Sequence, residues 1–529
     1  MNSLFKNKTR IAWVLLFLIM AFYFISMLLF GTSTFGDALR GYEIMAQMEN
    51  DGGFNQLVYP SISNPQYTYF VSWWSPAQWV FPFLISLLFQ THSFQVIQFI
   101  LIFTCLIISL IGYYKLFKRF GFTENISLLS LLCIVTNQLF YWQTFLYFGG
   151  DLFLLAFTPF YCVAVLNFKE NRSVRSLLVL LGLTVLGIFL KNSVYVFIFG
   201  SVVFLFFSIN KKTVLESVKL NMSYWILLVC IVGISIFFFL SKGDSPSNST
   251  FLEGYGTMTN DFLGDLTYSI GSPIGIFSHI TFYSVKLYEY FFSNRTFINS
   301  FQLLPFLATF YFYLKFPREE KSTYFKFLLY FGALYLLTFT LFHFLNKSVS
   351  YEMRHFAPIA FLFFPGILYW IVKSKFRKIG LGFIFIIGML EARTFVLSLL
   401  EIEKTHTFWH TLKLKSKDVE LSKKIEKWDQ NTTNGLVLID NYWQLSMGIS
   451  KNAKLVIERK NNRYFIVSGM EFEKGDEIDF KHVLLSNYST ILFLSTEIKP
   501  NQIKELKKEY RINTIKELNR FSWIELSKK

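Results

Sequence analysis

Apolar residues come in long unbroken blocks along this chain, separated by short polar and basic punctuation. Neither the two-residue alternation of a half-buried strand nor the one-sided stripe of a surface helix prevails over the first 400 residues. Eleven blocks are read as membrane-crossing helices: Ile11–Phe30, Phe94–Tyr114, Ile126–Gln143, Leu152–Phe168, Leu177–Leu190, Ser193–Ile209, Trp225–Leu240, Ser300–Leu314, Phe327–Leu345, Phe356–Val372 and Ile379–Leu400. Ile11–Phe30 is long for a cleaved leader, so a retained first helix is expected. Leu177–Ile209 is interrupted by "LKNS". A single helix there would put basic clusters on both membrane faces, so two short helices meeting near Lys191 are expected, each roughly 22–25 Å long. Trp79–Phe89 is too short to cross, and Tyr268–Phe292 carries Lys286 and Glu289. Both are expected as interfacial helices.

From Glu401 onward the pattern changes. The chain becomes polar and Lys-rich, with short strand-like runs "GLVLID", "AKLVIE", "RYFIVS" and "TILFLS" and helical stretches "DVELSKKIEKWD" and "PNQIKELKKEY". The expected organisation is a transmembrane domain over 1–400 and a small α/β domain over 401–529. Within the first, 31–93 and 241–299 form two long loops, and "SKGDSPSNST" in the second has the composition of a mobile lid.

Composition fixes the class. Of 529 residues, 53% are hydrophobic and 65 are Phe, which leaves too little polar surface for a water-soluble domain. The fold class expected is a polytopic α-helical membrane protein with about eleven spans and a small extracytoplasmic α/β C-terminal domain. The net charge of +16 does not mark a nucleic-acid partner. Placing the N-terminus in the cytoplasm puts twenty Lys and Arg residues on the cytoplasmic side, in six short segments, and very few in the short loops on the other side. Both long loops and the C-terminal domain are then extracytoplasmic, and the protein belongs in the cell membrane. The four cysteines, all in apolar runs, lack metal-ligand spacing.

Ionisable groups within a membrane are costly and mark functional candidates. Here they are Asp151, Lys191, Arg354, Glu391 and Arg393. The first three fall at the outer ends of spans. The first loop adds Asp37, Glu43, Glu49 and Asp51, the only acids among the first hundred residues. Acids and cations gathered beside the lipid headgroups suit chemistry on a lipid phosphate. Arg and Lys hold the phosphate, and a carboxylate accepts the proton of an attacking hydroxyl. Each group has a plainer role as well. Asp37 and Asp151 suit helix N-caps, Lys191 suits snorkelling, and Arg354 suits a pair with Glu352. Glu391 and Arg393, two apart, face different sides of a helix and read as structural partners within the bundle. Trp73 and Trp74 suit either an interface anchor or a platform for a sugar ring.

The order of motifs resembles the GT-C superfamily of membrane glycosyltransferases, in particular bacterial relatives of the protein mannosyltransferases and the aminoarabinose transferases. "FGDALRGYE" resembles the acidic first-loop motif. "WWSPAQWVFPFLISLLF" resembles the segment leading to an interfacial helix. "GGDLFLLAFTPFYCVAVLNFK" resembles the span headed by a second Asp. "LGIFLKNSVYVF" resembles the glycine-to-lysine turn, and "YEMRHFAPIAFLFFP" a late span opening on Arg. The resemblance implies an inverting transferase that moves a sugar from a polyprenyl-phosphate carrier to a hydroxyl acceptor: a cell-envelope polysaccharide, teichoic acid, lipid or protein. In it Asp37 is the catalytic base, Lys191 and Arg354 bind the donor phosphate, and Asp151, Glu43 and Trp74 position acceptor or donor. The geometry expected is Asp37, Lys191 and Arg354 meeting in one hollow at the outer membrane boundary. The chain lacks the adjacent acid pair and the "HPP" histidine found in several relatives, so a divalent metal ion stays an open question. The alternatives are a transporter or flippase of lipid-linked saccharides, which would show charges near the midplane in matched halves, and a polymerase, which would need a larger late loop than Asn346–Glu352.

Overall fold

The computed structural model describes residues 2–34, 36–49, 53–58, 68–70, 75–91, 93–147, 149–207, 222–241, 262–280, 295–344, 353–404, 416–440, 449, 451–460, 463–468, 477–478, 488–495, 500–518 and 521–529. Each of the eleven apolar blocks carries helix. Among the described residues, five helices are long and apolar enough to cross a membrane by length and composition: Thr9–Phe30, Phe94–Arg119, Gly150–Glu170, Ser322–Phe344 and Arg377–Leu400. The pair Glu124–Thr136 and Gln138–Phe145, bent by 48°, makes a sixth as one broken span. Shorter apolar helices include Val174–Leu190, Val194–Phe207, Leu303–Lys315 and Ala357–Lys373. The chain is a multi-pass membrane protein, mostly helical, with a mixed β-sheet domain at its C-terminal end. It divides into two compact units: Met1–Gly31, Phe99–Phe238 and Ser249–Thr405 form the first, and Thr32–Gln98, Phe239–Asn248 and His406–Lys529 the second.

The first unit is a helical bundle with large apolar residues such as Phe17, Leu29, Ile379 and Phe385 on its outside, as a lipid-facing surface requires. Backbone polar groups freed at a helix break cannot be left bare at membrane depth. At the bend, the Asn137 side chain accepts from Leu139 N at 3.1 Å and donates to Ile276 O at 3.1 Å. Glu391 reaches in from the helix Arg377–Lys404, accepts from Gln138 N at 3.4 Å and pairs with His279. The polar cluster thus closes one broken helix and the end of another, Phe262–Ser278. Glu391 is buried with these partners while Arg393 is exposed. Glu391 and Arg393 face apart, and the bundle partner of Glu391 is His279, just past the end of the helix Phe262–Ser278.

The stretch expected as an interfacial helix at Tyr268–Phe292 forms a helix over Phe262–Ser278 that is largely enclosed in the bundle. Small residues permit this. A Cβ on Gly271 would lie 2.9 Å from the backbone N of Phe306, so the two helices touch backbone to backbone. The lid sequence at 242–261 and the acid and base at Glu289 and Lys286 lie outside the described residues.

In the second unit a seven-stranded sheet runs β1 (Gly435–Asp440), β2 (Ala453–Lys460), β3 (Arg463–Ser468), β4 (Glu477–Ile478), β5 (Thr490–Ser495), β6 (Tyr510–Leu518) and β7 (Phe521–Lys528), in the spatial order β6-β7-β5-β1-β2-β3-β4. The three central strands, β5, β1 and β2, are parallel, and the rest pair antiparallel. Near-continuous burial of β1 and β5 follows from cover on both faces. Leu506 of the helix Pro500–Glu509 joins Leu436, Leu438 and Phe493 in one core layer. Leu421, Ile425 and Trp428 of Ser416–Asn431 join Val437, Ile439 and Leu492 in the other. The same unit holds the first-loop helices Gly36–Glu49 and Ala77–Phe89 and a short hairpin of Gln56–Val58 with Thr68–Phe70. Gly41 lets the two helices close: a Cβ there would stand 3.1 Å from Gln78 O.

Candidate functional site

Three segments far apart in sequence deliver charged side chains to one point in the helical bundle. "FGGD" turns the chain sharply into the helix Gly150–Glu170, since Gly149 takes φ 59°, a value that only glycine adopts readily. Asp151 is therefore the second helical residue, not the cap itself, and its carboxylate sits in the favourable first turn.

Lys191 stands where the stretch Leu177–Ile209 breaks. It is the C-cap of Val174–Leu190, with its N–H on Gly187 O at 3.1 Å and its own carbonyl accepting from Val194 N at 3.0 Å. Gly187 decides how near this turn comes to Asp151. A Cβ at that position would stand 2.6 Å from Phe157 Cζ and 2.7 Å from Val194 Cγ1. Without one, the two helices pack closely and the Lys191 ammonium binds Asp151 Oδ1.

Arg354 comes from the 3₁₀ turn Met353–His355 that leads into Ala357–Lys373. Its Nη1 lies 3.2 Å from Asp151 Oδ2. The turn is anchored by Tyr335, whose hydroxyl donates to His355 O at 2.7 Å, and by the Phe339 ring stacked on His355. Burial, and then the charge of Lys191, push the His355 imidazole down to about 3, so it adds no positive charge at neutral pH.

Side-chain exposures of 5% for Asp151, 10% for Arg354 and 19% for Lys191 place the cluster mostly out of water. One carboxylate faces two cations, which leaves these three side chains with a net charge of +1.

No protein-family description matches the chain, and no curated protein matches it. Among solved structures, ArnT from Cupriavidus metallidurans, solved bound to undecaprenyl phosphate, is similar at a TM-score of 0.48 and 12% identity, with 97% of this chain and 98% of that one covered. The likeness concerns the course of the chain, and the roles of individual residues rest on the geometry above.

The other candidates belong to the second unit. Asp37 is the second residue of the helix Gly36–Glu49, so here too the Asp lies within the first turn and not at the cap. Its side chain lies outside what the structure describes, as does Trp74 altogether. Glu43 is buried on the same helix and pairs with Lys454 Nζ at 3.3 Å. Glu352, the partner first considered for Arg354, is also outside the described residues.

Among the described residues no group of three or more His, Cys, Asp or Glu side chains is placed to hold a metal ion. Asp151 gives one oxygen to each cation, so it does not fit as a metal ligand in this arrangement.

Proposed function

We propose that the chain is an inverting glycosyltransferase of the outer membrane face, with a polyprenyl-phosphate-linked sugar as donor and a hydroxyl of a cell-envelope glycan, lipid or protein as acceptor. The observation that carries this is the Lys191–Asp151–Arg354 cluster, whose ammonium and forked guanidinium suit a lipid phosphate. The donor is a phosphodiester with one negative charge. The acceptor oxygen attacks the anomeric carbon and gives its proton to the Asp37 carboxylate. The bond from that carbon to the phosphate oxygen breaks, and its electron pair leaves with polyprenyl phosphate. The charge on the phosphate rises from one to two, and Lys191 and Arg354 stabilise the increase. Asp151 keeps both cations in place before the phosphate arrives. The motif resemblance supports the same chemistry.

The test is compositional. The gene is deleted, and envelope glycans and polyprenyl-linked intermediates are compared by mass spectrometry. A sugar that disappears from the glycan and accumulates on the carrier identifies the donor. Restoring the chain with Asp37→Asn should leave the defect in place at normal protein abundance. Full restoration by Asp37→Asn would point to transport of the lipid-linked saccharide instead.

A further inference from the structure

The buried pair between Glu43 and Lys454 joins two parts of the second unit that no local sequence signal connects. Glu43 Oε1 lies 3.3 Å from Lys454 Nζ, with side-chain exposures of 1% and 11%. Burying two opposite charges is costly, and replacement by apolar residues is often neutral or stabilising, so such a pair is better explained by orientation than by stability.

Both ends are held firmly. Lys454 lies in β2, in parallel register with Val437 of β1, and donates also to Ile449 O at 2.9 Å. Just before it, Asn452 N and Lys451 N donate to the two oxygens of Asp429, each at 2.9 Å, while Asn452 Oδ1 accepts from Gly435 N at 2.7 Å. The ammonium is therefore carried by a rigid corner of the sheet. On the other side, the helix Gly36–Glu49 is flanked by Ala77–Phe89, where Ser86 Oγ donates to Glu49, and the Tyr42 ring packs on Phe94 with centroids 4.8 Å apart. Asp37 and Glu43 are six residues apart on that helix, about 9 Å along its axis.

We infer that Lys454 is a positioning residue: through Glu43 it holds the helix that carries Asp37, so the C-terminal sheet domain is a working part of the transferase. This deepens the glycosyltransferase reading and rests on the assignment of Asp37 as base. It gives Glu43 a different role from contact with acceptor or donor. The donor-phosphate residues lie on other elements, so loss of Lys454 should spare phosphate binding while lowering transfer.

The experiment uses the full chain. Lys454→Met and Lys454→Arg are compared with wild type by hydrogen exchange of residues 36–49 and by binding of polyprenyl phosphate in nanodiscs. Glycan product is measured in the deletion strain. Lys454→Met should raise exchange over 36–49 and lower product about ten-fold or more, while polyprenyl phosphate affinity stays within about two-fold. Lys454→Arg should recover protection and most of the product. Unchanged exchange over 36–49 in Lys454→Met overturns the inference, and so does product falling only in step with abundance and phosphate binding. If Asp37→Asn makes normal product while Lys454→Met still exposes the helix, the base assignment has failed and the positioning role fails with it.

Discussion

Arg354 takes the oxygen of Asp151 that Lys191 leaves: its Nη1 is 3.2 Å from Oδ2, and the Lys191 ammonium is on Oδ1. One acid therefore stores two cations in a place mostly closed to water. A phosphate with its own oxygens can take over those bonds without new charges having to be brought in. This sharing makes Asp151 a holder of the cations and not a base, and the three residues differ in what their loss should do.

Asp151→Asn keeps the shape and removes the charge that separates Lys191 from Arg354. Breaking a buried pair from one side costs about 3–5 kcal/mol. The expected outcome is a lower melting temperature in detergent, with added polyprenyl phosphate restoring part of it. A melting temperature equal to wild type would mean that the cations do not depend on Asp151.

Gly187→Ala tests the packing that brings Lys191 to Asp151. The new methyl would meet Phe157 and Val194 at distances well inside contact, and overpacking of this kind costs about 1–3 kcal/mol. Thermal stability and polyprenyl phosphate affinity should both fall. A variant that loses neither would show that the helices can separate without moving Lys191.

Glu391 serves a helix break and not the phosphate. Glu391→Leu strips the acceptor from Gln138 N, a buried group whose loss of a partner costs about 1–3 kcal/mol, and removes the pair with His279. Melting temperature should fall while polyprenyl phosphate affinity in the surviving folded protein stays the same. A selective loss of affinity would place Glu391 in the donor site.

His355 is held neutral down to about 3, first by burial and then by Lys191. Its folded value lies below its ordinary one, so it gains no proton as pH falls through the usual histidine range, and the site keeps the same charge there. Binding of a polyprenyl methyl phosphate diester, which keeps one negative charge, should be flat between about pH 5 and pH 8. An affinity that rises as pH drops through about 6.5 would show that the imidazole charges after all.

Much of this was legible in the sequence because membrane proteins separate their signals. The apolar blocks located the helices, and the basic residues between them decided that Leu177–Ile209 is two helices with Lys191 between them. Arg354 and Asp151 stood out because a charge at the end of an apolar run is costly. What the sequence could not carry was the pairing. Asp151, Lys191 and Arg354 come from separate segments, and nothing local says that one carboxylate serves both cations. Lys454 looked like one more lysine of a Lys-rich domain, although a charge between the buried residues Ala453 and Leu455 was a faint signal. Tyr268–Phe292 read as an interfacial helix because Lys286 and Glu289 lie in it, and the burial of Phe262–Ser278 in the bundle rests on close packing at Gly271 that composition does not announce. Strands β6 and β7 went unread because their charged and polar residues resemble loop composition, although of the two only β6 lies at the sheet edge.

The central claim is that Lys191 and Arg354 together bind a lipid phosphate. The most direct test is a titration of the full-length protein in nanodiscs with polyprenyl phosphate, wild type against the Lys191→Met, Arg354→Met double variant. Each charge-assisted hydrogen bond is worth about 1.5–3 kcal/mol, so affinity should fall about 100-fold or more. Equal affinity in the two proteins would contradict the account.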